Sequence, residues 1–310
     1  MLEAGQAQAE DDGAVKVAGF AIHPAMPRPR AVRGTSPRLE PGHAAGATPE
    51  TPLDRRSEAG SAWRVRMFGH DFAAGPAAGI LAASAMQPSA GPRLVVTANI
   101  DHIVLLSENA AFRQAYAGAV ARTLDGTPLV WLARLRGQPA ARVTGHDLLA
   151  HALFARPVEG RRVFLVCSRD AVAEAIRDRL ERSGYDADAV ATCVPPFGFD
   201  DDAEYGRALS ARIREHGTTL LIMGVGAPRS EVWVTRQGAA LGTPLVLAVG
   251  EAVNVAAGLV PRAPVMLQRA GLEWAFRFAF APRRLFRRYF VRSWRFLALL
   301  RGEIGNRDAA

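Results

Sequence analysis

Three apolar runs in the chain end in residues suited to handling a phosphate or a hydroxyl. Thr97-Ala98-Asn99 closes the run RLVV, Gly224-Val225-Gly226 closes TLLIM, and Gly250-Glu251 closes PLVLAV. At Gly224 and Gly226 the missing side chains would let a phosphate approach the backbone where the next helix begins, and free N–H groups there attract an anion. Glycine also serves tight strand-to-helix turns for steric reasons alone, so this signal gains weight only beside others. The hexapeptide GVGAPR is not a dinucleotide fingerprint, because Arg229 stands where GxGxxG requires glycine.

Among the acids, Asp125 in RTLDGTPLVWLARL could take a proton from a hydroxyl. Taken alone, an Asp ahead of Gly126 and an apolar helical stretch reads first as a helix cap or turn former. The triplet Asp200-Asp201-Asp202 imitates a DxD motif that holds a metal and a diphosphate. It opens the helical stretch AEYGRALSARIREHG, however, and a helix dipole favours acids in the first turn. His146 and His151 are five apart rather than the four that would align them on one helical face, and Cys167 and Cys193 belong to no CxxC or Cys/His pattern. Neither a metal site nor a disulfide framework is signalled, and both thiols are expected to be reduced.

Positioning these residues falls to an alternation of short β-rich runs and amphipathic stretches: RLVVTAN then SENAAFRQAYAGAVA, RRVFLVCS then RDAVAEAIRDRLERSG, TTLLIMGVG then SEVWVTRQGAAL, and PLVLAVG last. This order predicts an α/β protein with a parallel sheet and helices on both faces. In such sheets ligands bind at the carboxyl ends of the strands, where the candidates above lie. Residues 1–62, rich in Ala, Gly, Pro and charge without a sustained period, are expected to be a disordered leader. Residues 63–258 form the expected core, and 259–310 a helical, basic C-terminal appendage.

The 310 residues are 49% hydrophobic, ample for a buried core. Of the formal charge of +8, the stretch from Arg262 to Arg301 alone supplies ten arginines against one acid, Glu273, so the remainder is close to neutral. A pI near 10.5 would suit nucleic acid, but charge confined to one apolar-rich end suits an anionic membrane surface equally well. Glu3, Glu10, Asp11 and Asp12 argue against a secretory signal, and no run of about 18 uncharged apolar residues offers a membrane span. The expectation is a cytoplasmic chain that meets the inner face of the cytoplasmic membrane from the side.

Taken together, three blocks resemble the signature regions of the WecG/TagA/CpsF glycosyltransferases. They are TANIDHIVLLSENAAFRQAYAGAVARTLDGTPLVWLARLRGQPAARVTGHDLL, GVGAPRSEVWV, and VGEAVNVAAGLVPRAPVMLQRAGLEWAFRFAFAPRRLFRRYF. The resemblance, running from about Val65 to Tyr289, implies a Rossmann-like core of the GT-E type. It also implies an inverting, metal-independent transferase that needs no cofactor and moves a sugar from a UDP-sugar to a polyprenyl-diphosphate-linked saccharide in cell-surface glycan synthesis. Self-association and a membrane-docking appendage that completes the active site are further implications.

By the same resemblance, Thr97 and Asn99 match a T-x-N pair expected to contact donor or acceptor, and Asp125 matches the aspartate expected to be the general base. Arg142, Thr144, Gly145 and Asp147 match R-V-T-G-x-D. Gly224, Gly226, Pro228, Glu231 and Trp233 match G-x-G-x-P-x-Q-E-x-W, with Arg229 among the expected substrate contacts. Ser230 departs from the usual Gln and Asn254 from the usual Asp.

Charge growing on the departing UDP needs stabilisation, and Arg283, Arg284, Arg287 and Arg288 are the expected cations, since guanidinium forks match phosphate oxygens. On a helix, Phe286, Tyr289, Phe290, Trp294, Leu297 and Leu300 recur at spacings of three or four with one adjacent pair, while Arg284, Arg288, Arg292 and Arg295 form a second stripe. Such a helix can lie among headgroups beside a lipid-linked acceptor, or dock on the core with a solvated basic face. Two rival readings remain. A nucleotide-dependent oxidoreductase would need the glycine fingerprint that is missing, and a basic nucleic-acid- or nucleotide-binding protein without transferase activity would leave Asp125 unexplained. No nucleic-acid partner is expected.

Overall fold

The computed structural model describes residues 64–155, 158–261, 263–264, 266–267, 273–280 and 292–305. All of these belong to one compact unit, Glu58–Ala310. The expected leader and Arg283, Arg284, Arg287 and Arg288 lie outside the described residues, as do Phe286, Tyr289 and Phe290.

Eight strands form one sheet: β1 (Arg64–Met67), β2 (His70–Ala73), β3 (Arg93–Ala98), β4 (Ala121–Leu124), β5 (Val163–Val166), β6 (Val190–Cys193), β7 (Leu220–Met223) and β8 (Leu245–Ala248). Their order is β1-β2-β4-β3-β8-β7-β5-β6, and all neighbours are parallel except the β1–β2 hairpin. The runs VFLV of β5 and LLIM of β7 are buried throughout, as a sheet covered on both faces demands.

One face is covered by α2 (Ile100–Glu108), α3 (Ala110–Gly118), α4 (Thr127–Leu135), α7 (Ala203–Glu215) and α8 (Arg229–Gln237). The other carries α1 (Ala77–Met86), α5 (Gly145–Leu149), α6 (Asp170–Arg182) and α9 (Ala252–Ala256). Further along, the described residues include the helices α10 (Glu273–Phe280) and α11 (Arg292–Gly305). The expected α/β layering is present, and its Rossmann-like character follows from the parallel strands and two helical layers.

Three expectations needed correction. The stretch SENAAFRQAYAGAVA is not one helix: α2 ends at Glu108, Asn109 caps α3 by accepting from the Phe112 N–H at 2.9 Å, and the end of the stretch enters β4. Strands β1, β2, β4 and β6 join the four anticipated. Finally, Asp125 caps no helix, because the N-cap of α4 is Gly126 and makes no side-chain capping bond.

The hairpin turns through Phe68 and Gly69, both with positive φ (51° and 75°), as a two-residue primed turn requires. That conformation is strained for phenylalanine. Its ring packs at 6.0 Å from Phe296 of α11, which is only 6% exposed, and Leu299 and Leu300 pack on the same core. Two ion pairs, Arg295 with Glu108 and Arg136 with Glu303, fasten α11 to the ends of α2 and α4. Within α11, therefore, Phe296 turns inward although it stood outside the anticipated apolar stripe, whereas Trp294 and Leu297 face solvent. No helix among the described residues is long and apolar enough to cross a membrane.

Candidate active site

The helices following neighbouring strands β3 and β8 leave to opposite faces, α2 to one and α9 to the other. Divergence of this kind opens a crevice at the carboxyl ends of the strands, where α/β proteins bind ligands. The sequence-derived candidates among the described residues line up along it in two groups.

The first group sits on β3 and β4. Thr97 is buried in β3, its hydroxyl 3.5 Å from the Ala248 carbonyl of β8. Asn99 caps α2, accepting from the His102 N–H at 3.2 Å. The N–H groups of Asp125 and Gly126 donate to the Ala98 carbonyl at 2.9 and 3.1 Å, which pulls the end of β4 against the end of β3. Gly126 suits this close approach, since a Cβ would lie 3.3 Å from the Asn99 Cα. Asp125 thus stands beside Asn99, partly exposed.

The segment before α5 closes alongside. Val143 donates to the Leu124 carbonyl at 2.9 Å, Thr123 Oγ1 donates to the Val143 carbonyl at 2.9 Å, and Arg142 Nη1 reaches Thr127 Oγ1 at 3.4 Å. Thr144 and Asp147 form a capping box on α5. Asp147 Oδ2 accepts from the Thr144 N–H and hydroxyl, and Thr144 Oγ1 accepts from the Asp147 N–H. Their first task is to start that helix.

The second group sits on β7 and β8. Gly224 lets β7 pass under α9, since a Cβ would meet Val253 Cγ2 at 3.0 Å and the Val166 carbonyl at 3.1 Å. Gly145 serves a similar purpose between α5 and β8, a Cβ there lying 3.0 Å from Val249 Cβ. Gly226 (φ 84°) and Gly250 (φ 50°) face each other so closely that a Cβ on Gly250 would be 3.4 Å from Gly226 Cα. Of these glycines, only at Gly226 would a Cβ meet nothing within 4 Å, so the backbone there is open, the condition under which a diphosphate can approach a helix N-terminus. Buried Asn254 donates through Nδ2 to Glu251 Oε2 at 3.1 Å. Ser230 turns its hydroxyl back to the Gly226 carbonyl at 3.2 Å, so at this position the side chain braces the loop.

Glu231, in the first turn of α8, is 2% exposed, and its Oε2 has no hydrogen-bond partner among the described residues. Burial pushes its carboxyl up to about 7, only partly opposed by the hydrogen bond from its own backbone N–H. The Tyr116 hydroxyl, within the field of Glu231 and of Asp125, is held well above its ordinary value, first by burial and then by the Glu231 charge. It also bonds to His102 Nδ1 at 2.6 Å. Sequence reasoning named Glu231 but missed the His102–Tyr116 pair, because fourteen residues on two helices separate them and no spacing rule connects them.

The unfolded Glu231 carboxyl ionises near 4.5 and the folded one near 7. Its contribution to stability is therefore greatest below pH 4.5 and declines as pH rises through that window. Above pH 7 it is lower by about 3 kcal/mol. The expected result for Glu231→Gln is a flattened profile: its denaturant midpoint exceeds that of the parent above pH 7, and the two converge near pH 4.5. Parallel profiles across this range would refute the assignment.

Of the acidic triplet expected in the first turn of the helix, only Asp202 serves α7, as its N-cap accepting from the N–H groups of Glu204 and Tyr205; Asp200 and Asp201 lie in the turn before it, and Asp201 pairs with Arg236 of α8. Beside it the turn Pro196–Phe199 raises Phe197 into solvent, 97% exposed, with the Arg229 guanidinium 6.0 Å from its ring centre. Arg229 itself donates to the Val225 carbonyl at 2.8 Å. The signal PPFGF, an aromatic between two prolines and a glycine, could have revealed this turn in the sequence.

The model of the Glycosyl transferase WecG/TagA/CpsF family matches residues 65–309, from the second residue of β1 to beyond α11. That span takes in both groups lining the crevice and the arginine-rich stretch beyond α10; the chain belongs to the Glycosyl transferase WecG/TagA/CpsF family.

Proposed function

We propose that the chain is an inverting, metal-independent glycosyltransferase that moves a sugar from a UDP-sugar to a polyprenyl-diphosphate-linked saccharide. It would work at the inner face of the cytoplasmic membrane during synthesis of a cell-surface polysaccharide. The observation that carries this reading is the place of Asp125, partly exposed beside Asn99 at the carboxyl ends of the strands, with the open backbone of Gly226 after β7 on the other side.

In this mechanism the Asp125 carboxylate accepts the proton of the acceptor hydroxyl as that oxygen attacks the anomeric carbon from the face opposite the nucleotide. The bond from the anomeric carbon to the β-phosphate oxygen breaks, and UDP leaves with the bonding pair. Negative charge growing on the diphosphate is met by the N-terminal end of α8 and by Arg283, Arg284, Arg287 and Arg288. Asn99 and Arg142, on the Asp125 side, are placed to orient sugar hydroxyls. Exposed Trp294 and Leu297 and the basic stretch preceding α11 hold the protein to an anionic surface.

The test is UDP release by purified protein with a short-chain polyprenyl-diphosphate glycan, a panel of UDP-sugars, and EDTA throughout. Acceptor-dependent release from one donor is the expected result and names the sugar. Release that appears only after Mg²⁺ or Mn²⁺ is restored would overturn the metal-independent mechanism. Silence under both conditions, with validated acceptors, would overturn transfer to this acceptor class.

A further inference from the structure

We propose that the turn Pro196–Phe199 is the nucleobase platform of the donor site, with the base stacked on the free face of Phe197 and the Arg229 guanidinium meeting the ribose-phosphate end. The inference rests on the reading of a nucleotide-sugar donor and adds the residue that holds its base.

An exposed phenylalanine on a loose loop would mean little, but the turn that carries this one is braced through its backbone and its neighbours. Phe199 N–H donates to the Pro196 carbonyl at 3.2 Å, and Gly198 follows Phe197 with φ 83°, the geometry of a type II turn. Pro195 and Pro196 restrict the chain on the approach. On the far side the turn is fastened to α8 along a single face. Phe199 is buried with its ring 6.0 Å from Trp233, and Arg236 Nη1 donates to the Asp200 carbonyl at 2.7 Å and to Asp201 Oδ1 at 3.1 Å. Arg229 completes the series at the other end of the helix, below the Phe197 ring. Positions 229, 233 and 236 share one face of a helix, so one element sets the height of the aromatic ring, the guanidinium and the glycine loop from which it starts.

Rigidity matters because the ordering cost of a stacking surface is met before the ligand arrives. An aromatic face offered to a base is tolerant of which base it takes, so Phe197 supplies affinity and leaves base identity to other contacts. The cation beside it donates to the Val225 carbonyl, next to Gly226, where the diphosphate would approach the backbone.

The experiment is titration calorimetry of the full chain with UDP, ADP and inorganic pyrophosphate, using Phe197→Ala and Phe197→Tyr. Phe197→Ala is expected to weaken UDP and ADP in the same proportion, by roughly tenfold to a hundredfold. Pyrophosphate binding stays unchanged, and Phe197→Tyr retains parental UDP affinity. Undiminished UDP affinity in Phe197→Ala overturns the platform while leaving the donor reading intact. If that variant instead sediments less with anionic vesicles, Phe197 is a membrane contact. Equal loss of UDP and pyrophosphate also overturns the platform, since it would mean the loop had collapsed. A parental chain that takes up no nucleotide overturns the donor reading and the platform together.

Discussion

Asp125→Asn is expected to lower kcat for sugar transfer by about 10² to 10⁴-fold, the usual contribution of a positioned general base, while the Kd for UDP changes little. Asparagine fills the same volume and keeps the backbone bonds from Asp125 and Gly126 to Ala98, so the meeting of β3 and β4 survives. What it lacks is a lone-pair site basic enough to take the acceptor proton. Single-turnover transfer and UDP calorimetry, run on the same preparation, separate the two effects. Unchanged turnover would remove Asp125 as the base, and equal loss of turnover and UDP affinity would make it a donor-binding residue.

Truncation before Pro282 should abolish both vesicle association and transfer, and the structure adds a third loss. Deleting α11 strips Phe296 from the core and leaves the partly buried Arg136 without Glu303. Phe296→Ala alone should cost about 3 kcal/mol, measured as a fall in the denaturant midpoint, and the truncation should cost more. A second variant separates charge from packing. Changing Arg283, Arg284, Arg287 and Arg288 together to Gln, with α11 kept, removes cations worth about 1 kcal/mol each at an anionic surface. Vesicle affinity should fall on the order of a hundredfold or more, with the denaturant midpoint retained. A quadruple variant that still binds vesicles and transfers sugar at the parental rate would refute the role given to those arginines.

The layered α/β plan was legible because buried parallel strands write continuous apolar runs, as in RLVV, TLLIM and PLVLAV. Strand β4 escaped notice because ARTL carries an arginine and a threonine that the structure satisfies locally. Arg122 Nε donates to the Tyr116 carbonyl at 2.7 Å and Thr123 to the Val143 carbonyl, so neither residue looks apolar though both sit in the sheet. The glycines of the crevice stood out in the sequence, but their reasons did not: Gly145 and Gly224 answer to Val249 and Val253, neighbours that no local spacing reveals. The buried state of Glu231 was hidden for the same cause, since charge in the first turn of a helix ordinarily faces water. Phe296 lay outside the anticipated stripe, because its inward turn depends on Phe68, supplied by the opposite end of the described chain.

That pairing also has a bearing on the order in which the molecule can be finished. Phe68 is translated early and Phe296 late, with the whole sheet between them. Until α11 emerges, the primed turn at Phe68 carries its strain without the ring that packs against it. A nascent chain can assemble its parallel strands as they are made, since domains build from the N-terminal side during synthesis. The turn of the β1–β2 hairpin nevertheless gains its aromatic partner only from α11, and a ribosome that stalls before residue 292 would leave Phe68 without Phe296 and Glu108 without Arg295.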